Sequence, residues 1–199
     1  MIAILLNDAS FEQDIRELLM AFYPGETFTH KEEEAGEAEL IVRGVRDGNS
    51  FSLDVTPVKK EVVHFALIYP DFSNRFETKN EIKRTLYRLL SAQTGRELPW
   101  GTLTGIRPTK IALTKLYDGW TDEQIETYMR ETYFTSKEKI DLSIDVAERE
   151  RRLLSTIDYE NGYSLYVGIP FCPTTCLYCS FTSFPIVKWE KRMDLYKEA

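Results

Sequence analysis

The chain has 199 residues, of which 43% are hydrophobic and 29% are charged, and its formal net charge is -7. These values predict a globular chain with a core and exclude collagen, low-complexity disorder and a disulfide-stapled miniprotein. The acidic balance argues against a nucleic-acid-binding protein. There is no run of about 18 apolar residues that could span a membrane. The first residues lack the pattern of a secretory signal, which predicts a cytoplasmic protein.

The first half of the chain alternates between strand and helix patterns, and we predict a small α+β accessory domain over residues 1–95. Apolar residues recur at every second position in the strands and at helical spacing in the helices. The turn Asp47-Gly48-Asn49 is typical of a hairpin. The predicted elements are a strand at Ile2–Leu6, a helix with its apolar face from Phe11 to Phe22 and a cap at Asp8 or Ser10, the hairpin strands Leu40–Val45 and Ser50–Val55, a strand at Val62–Tyr69, and a helix from Phe76 to Ala92.

Two polar features of this region receive ordinary structural interpretations. The five glutamates of 32–39 are expected on a solvated loop or on the approach to a strand, in preference to a metal site. His64 lies in the middle of a predicted strand, where a hydrogen-bonded or half-exposed histidine is favoured over a catalytic one.

Residues 96–160 are predicted to form a helical connector. Pro108 is placed for a first helical turn, Thr121 begins a capping-box pattern, and Ser136 begins a long helix. The segment from Gly101 to Lys110 resembles a phosphate loop but lacks the adjacent Gly-Lys-Ser/Thr. Its basic residues, Arg107 and Lys110, are interpreted as solvated, with an anion at the helix start as the alternative.

The last part of the chain differs in charge. No charged residue occurs between Asn161 and Val187, and residues 161–199 carry four basic and three acidic residues, a balance of +1 against -8 for residues 1–160. The aromatic and β-branched content of Tyr163–Ile169 predicts a strand. A loop rich in proline follows, and Val187–Glu198 is predicted to be a helix.

All three cysteines lie in this neutral loop, in the spacing Cys172-x-x-x-Cys176-x-x-Cys179. A disulfide would leave one cysteine over, and a structural zinc site normally has four protein ligands, in separated pairs. Because His30 and His64 are remote in sequence, no fourth ligand is evident. Three thiolates favour an iron–sulfur cluster with one open iron, and zinc remains the alternative.

The cysteine spacing resembles the signature of the radical S-adenosylmethionine superfamily. The longer string from Tyr166 to Phe181, YVGIPFCPTTCLYCSF, resembles the oxygen-independent coproporphyrinogen III dehydrogenase (oxidase) family. The segment from Leu103 to Lys110, LTGIRPTK, and the acidic first domain are similar to its HemZ-type branch. The resemblance implies a partial TIM-type barrel whose first βα unit lies in residues 161–199.

The resemblance also implies a reaction and its cofactors. Cys172, Cys176 and Cys179 would ligate a [4Fe-4S] cluster, and S-adenosylmethionine would chelate its fourth iron. Tyr166 would lie near the cluster and this cofactor, and Tyr178 would pack on the adenine side. The family reaction is the oxidative decarboxylation of the tetrapyrrole coproporphyrinogen III to protoporphyrinogen IX, which requires an electron donor for the cluster.

Three departures from the family pattern leave alternatives open. Gly168 stands where much of the group has histidine. Phe181 stands where the best-characterised dehydrogenases have a fourth cysteine, a form shared with relatives that resemble haem-binding chaperones. About six βα units need roughly 180 residues, so residues 161–199 are expected to hold only the start of a truncated barrel. The chain by itself is expected to be inactive or only very weakly active.

Overall fold

The computed structural model describes residues 1–59, 62–158, 161–181 and 183–198. The described residues form two compact units, within residues 1–156 and 157–199. The predicted domain boundary at residue 160 falls on Tyr159–Glu160, outside the described residues. The mixed α/β class is confirmed, because the described part of the chain contains a five-stranded sheet and seven α-helices.

The sheet of the first unit is parallel on one side and antiparallel on the other. Its strands are β1 (Ile2–Leu6), β2 (Phe28–Thr29), β3 (Leu40–Asp47), β4 (Ser50–Pro57) and β5 (His64–Ile68), in the order β2-β1-β3-β4-β5. Strand β1 pairs in parallel with β2 and β3, with Ile2 opposite Phe28 and Leu40. The β3–β4 pair is the predicted hairpin, and Asp47 lies opposite Ser50 at its turn.

One face of this sheet is covered by α1 (Glu12–Phe22) and α2 (Arg75–Thr94). Alternate residues of β4 point into the resulting core, which explains why Phe51, Leu53 and Val55 are fully buried. The predicted apolar stripe from Phe11 to Phe22 is confirmed, but Phe11 belongs to a 3-10 turn capped by Asp8, and α1 begins at Glu12.

The glutamate-rich segment 32–39 is predicted to be a loop or the approach to a strand. In the structure its first residues instead form a 3-10 helix, Glu32–Glu37. Ala35 is the reason for this difference, since it packs with Ala3 and Ala38 against the other face of the sheet. Among the described residues, no group of three or more histidine, cysteine or acidic side chains is arranged to hold a metal ion.

The remaining helices of the first unit are α3 (Thr109–Tyr117), α4 (Asp122–Tyr133) and α5 (Lys137–Leu154). They share a core that includes Ile125, Met129 and Ile140. The predicted capping box at Thr121 and the helix start at Ser136 are confirmed. These helices lie in the same compact unit as the sheet.

The second unit contains short elements only. They are β6 (Phe171–Cys172), β7 (Phe184–Pro185), α6 (Ile186–Trp189) and α7 (Met193–Glu198), with a 3-10 turn at Glu190–Arg192. The predicted strand at Tyr163–Ile169 is wrong, because these residues have no strand partner and pairing begins at Phe171. The predicted helix over 187–198 is interrupted by the 3-10 turn. The start of a barrel stays a prediction.

Within the described ranges, no helix combines the length and the apolar character needed to cross a bilayer.

Candidate functional site

The cysteine loop, residues 172–183, is held at its base by paired backbone and by aromatic rings. Strands β6 and β7 pair in parallel, with Phe171 opposite Phe184, and the amide of Phe184 donates to the carbonyl of Pro170 at 2.7 Å. The Phe171 ring lies 5.0 Å from Tyr196 and 5.7 Å from Trp189 between centroids. Aromatic contacts of this kind stabilise a small unit that has little other packing.

These aromatic residues were only partly anticipated from the sequence. Trp189 and Tyr196 were expected on one side of a helix, but no pattern indicated that they contact Phe171 and Phe184. The Tyr196 hydroxyl donates to the carbonyl of Gly168 at 2.5 Å, which connects α7 to the segment before the cysteines. We therefore regard this aromatic cluster as the scaffold of the cysteine loop.

A pocket of about 540 Å³ lies beside this scaffold. Cys172, Cys179 and Tyr166 line it, together with residues that include Phe181, Ser183 and Tyr196. None of the described residues that line the pocket carries a charge, as expected from the neutral run. An apolar, uncharged wall of this kind suits a redox centre that must be shielded from water.

The three predicted cluster ligands are brought together only in part. Cys172 and Cys179 are half-buried and line the pocket, whereas Cys176 is exposed and does not. The amide of Cys179 donates to the carbonyl of Cys176 at 3.0 Å, so a tight turn separates these two residues. All three thiols are free in the structure. The donor set fits an iron–sulfur cluster chemically, although the three thiols do not converge as a ready-made metal site.

The two predicted cofactor tyrosines occupy different surroundings. Tyr166 lines the pocket and its side chain is 84% exposed. A Cβ at Gly168 would lie 3.2 Å from the Tyr166 ring, so glycine gives this ring the room that a histidine would restrict. Tyr178 is 89% exposed and does not line the pocket. The structure therefore places Tyr166, but not Tyr178, beside the cysteines.

Of the four remaining candidate residues, three have side-chain partners. His64 is half-buried, and its Nε2 lies 3.0 Å from Gln93 Oε1, which confirms the interpretation as a hydrogen-bonded strand histidine. His30 Nε2 lies 2.9 Å from Glu12 Oε1. Arg107 forms an ion pair with Glu150 at 2.9 Å, and Lys110 is exposed at the start of α3.

Comparison with known proteins identifies one curated relative. The chain is 36% identical over 135 residues to the oxygen-independent coproporphyrinogen-III oxidase-like protein HemZ of Bacillus subtilis (strain 168). The alignment covers 66% of this chain and 26% of that protein, so the chain spans about a quarter of the relative it matches. No protein-family model matches the chain, and no solved structure matches it. The similarity to HemZ supports the resemblance predicted from the cysteine loop and its flanking residues.

Proposed function

We propose that the chain, which is similar to the coproporphyrinogen-III oxidase-like protein HemZ, is part of an oxidoreductase that acts on coproporphyrinogen III or a closely related tetrapyrrole. The proposed reaction is the oxidative decarboxylation of coproporphyrinogen III to protoporphyrinogen IX. The cysteine loop carries this proposal, since two of its three thiols line an uncharged pocket. The name of the relative supports the tetrapyrrole and the oxidase class.

In this proposal Cys172, Cys176 and Cys179 hold a [4Fe-4S] cluster, and S-adenosylmethionine is its partner cofactor. When bound, this pair supplies the one-electron chemistry that removes a hydrogen atom from the substrate. A cluster held by these thiols would need an electron from a donor protein or small molecule. Metal binding and folding are coupled at such sites, so cluster loading is expected to draw Cys176 towards the other two thiols.

The rest of the pocket has a binding and shielding role. Tyr166 and Phe181 provide apolar surface on which a planar ligand can pack, and Gly168 leaves room for the Tyr166 ring. No charged side chain among the described residues of the pocket wall would compete with the backbone amides that surround a bound cluster. Tyr196 keeps the segment before the cysteines in place through its bond to Gly168.

The first experiment is anaerobic reconstitution of the chain with iron and sulfide. About four iron and four sulfide per chain are expected, with the broad visible absorption of a [4Fe-4S] cluster. Cys172→Ser, Cys176→Ser and Cys179→Ser should each lose most of this iron, whereas the neighbouring Ser180→Ala should retain it. About one zinc per chain without sulfide would instead identify a zinc-stabilised structural fragment.

One observation supports a second candidate function. Phe181 stands where a fourth cysteine occurs in well-characterised dehydrogenases, and it lines the pocket. An apolar pocket wall at this position suits a haem-binding chaperone that does not decarboxylate a substrate. Titration of haem into the protein, compared with turnover of coproporphyrinogen III, separates the two functions: tight haem binding without turnover identifies the chaperone.

A further inference from the structure

The two edges of the five-stranded sheet differ in how much strand they expose. Strand β2, at one edge, has only two residues, Phe28–Thr29, and so short an edge offers little to pair with. Strand β5, at the other edge, has five residues, His64–Ile68, and among the described residues it pairs with β4 and with no other strand. The backbone N–H and C=O groups on its outer side therefore lack a strand partner within the described part of the chain.

The side chains along this edge are apolar on the face turned away from the helices. His64 contacts Gln93 of α2, so the even-numbered residues of β5 face the helices and the odd-numbered ones face the opposite side. On that side an apolar residue occurs at every second position of residues 63–69, which we call the edge segment. These residues are 47% to 71% exposed, and they are Val63, Phe65, Leu67 and Tyr69.

The edge segment lacks the devices that normally prevent edge strands from pairing. Charged side chains, proline residues and β-bulges usually protect such edges. The edge segment contains no charged residue and no proline. Its register against β4 is continuous from His64 to Ile68, without a bulge. The backbone and the side chains of this edge are thus suited to add a further strand.

The edge segment is also complementary to itself. When two copies pair antiparallel with Ala66 opposite its own copy, their edge segments overlap completely. Phe65 of each chain then lies opposite Leu67 of the other, and Val63 lies opposite Tyr69. Apolar and aromatic pairs of this kind stabilise antiparallel strands. A register shifted by one residue would place the apolar face of one chain beside the helix-covered face of the other.

Charge does not oppose this pairing. The charged residue of β4, the strand next to β5, is Asp54, which lies opposite Phe65. Across a pair of β5 strands, the two copies of Asp54 would be about three strand spacings apart, roughly 14 Å. This separation exceeds the Debye length of about 8 Å at physiological ionic strength, so their repulsion is largely screened.

We propose that β5 is the interface through which two copies of this chain associate, as a symmetrical dimer with one continuous sheet. Backbone hydrogen bonds between the two edges supply affinity, and the pairs formed by Phe65 and Leu67 fix the register. The four apolar side chains of two copies expose roughly 900 Å², close to the minimum of about 1,000 Å² for a specific interface, so the dimer is weak and reversible. Because the interface is the same edge of both chains, assembly stops at two copies.

Sedimentation velocity of the full chain over about 1–300 µM tests this proposal. A thiol reductant is present throughout, so that the three cysteines do not cross-link the chains. The mass should rise with concentration from the 23.2 kDa of one chain to twice that value. We expect a dissociation constant of roughly 1–100 µM. A chain that stays monomeric throughout would leave this edge to a strand of a different protein and would overturn the proposal, as would growth into larger assemblies.

Two charge variants locate the interface. Phe65→Lys and Leu67→Glu should each weaken the dimer at least about tenfold, because each removes an apolar pair and brings two like charges to about 7–8 Å from each other across the strands. Both side chains are exposed, so both variants are expected to fold, which circular dichroism checks. Leu142→Lys is the matched control, since it changes a leucine of α5 that is exposed to a similar extent, and it should dimerise like the parent. If Phe65→Lys and Leu67→Glu also dimerise like the parent, the copies meet elsewhere and the proposal is wrong.

An equal mixture of these two charge variants tests the register. In the mixed dimer the new ammonium group lies opposite the new carboxylate, and one pair of Leu67 with Phe65 is kept. The mixture should therefore dimerise about tenfold more tightly than either variant alone. Association of the mixture that is no tighter would show that the strands do not pair about Ala66, against the proposal. Neither iron nor the cysteine loop enters these measurements, so their result is independent of the proposed enzymatic function.

Discussion

Both units of this protein contain large apolar side chains, but the two units differ in how far they bury them. In the first unit, residues such as Phe22, Phe51 and Leu86 are fully buried between the sheet and its two helices. In the second unit, none of the described residues of 161–181 and 183–198 is buried. Apolar content alone therefore does not predict a core, which also requires partner elements close enough to cover it.

The well-packed unit and the unit that carries the cysteines are therefore not the same. The first unit has extensive packing and helix caps, while the cysteines lie in the second unit, on a loop held by four aromatic residues and a two-residue strand pair. Binding loops are commonly the least stable parts of a protein, because they must rearrange around a ligand. The contrast can be tested by experiments that perturb each unit in the same way.

The largest expected effect comes from matched leucine truncations. Leu86→Ala removes a side chain that is 0% exposed and should lower the free energy of unfolding by about 3 kcal/mol. Leu165→Ala, in the second unit at 79% exposure, should change it by less than about 0.5 kcal/mol. Urea unfolding followed by circular dichroism measures both. A comparable loss in the two variants would show that Leu165 is buried in solution and that the contrast is wrong.

Limited proteolysis measures the same contrast without mutation. Trypsin cleavage after the exposed Lys188 should be at least about a hundredfold faster than after Lys83, which is buried in α2. Mass spectrometry of early time points identifies the fragments. Simultaneous appearance of both cleavages would mean that the units unfold together.

Loading of the cluster should reduce the difference in the rate of tryptic cleavage between the two units. After reconstitution with iron and sulfide, cleavage after Lys188 should slow by about tenfold, because ligation of three thiols restricts the cysteine loop. Cleavage after Lys83 should not change, and removal of iron with a chelator should restore the original rate. The chain with all three cysteines replaced by serine serves as the control. Equal protection of that variant would show that the effect does not come from thiol ligation.

The sequence predicted best those features that depend on neighbouring residues. The capping box at Thr121, the helix start at Ser136 and the β3–β4 hairpin are encoded within a few residues, and all are present. The strand predicted at Tyr163–Ile169 failed because a strand requires a pairing partner, which the local pattern does not supply. The 3-10 helix at Glu32–Glu37 was missed because it depends on Ala35 packing against a distant strand.

The candidate site shows the same limit. The spacing identified three cysteines and the family resemblance added Tyr166, and three of these four residues line one pocket. Spacing could not predict that Cys176 would stay exposed, since the convergence of thiols depends on the metal as well as on the chain.

The smallest expected effect concerns a single helix cap in the first unit. The Asp8 carboxylate accepts a hydrogen bond from the Ser10 amide at 2.9 Å and pairs with Arg46 at 3.1 Å. These interactions, with those of Ser10 the largest, hold the pKa of Asp8 below its ordinary value of 3.8. Asp8→Ala should therefore cost about 1 kcal/mol at pH 7.

The pH dependence of the stability lost in Asp8→Ala is a more specific test of this cap. Because the pKa of Asp8 is lower in the folded protein, its stabilisation is complete above pH 3.8 and is lost as the pH falls through the folded value. The difference between Asp8→Ala and the parent should accordingly narrow below pH 3.8 in urea unfolding curves. Asp194→Ala is the matched control, since this exposed aspartate of α7 forms a surface ion pair with Lys197 and should change stability at neither pH. A loss in Asp194→Ala as large as that in Asp8→Ala would mean that surface ion pairs stabilise both units equally, against the contrast in their packing.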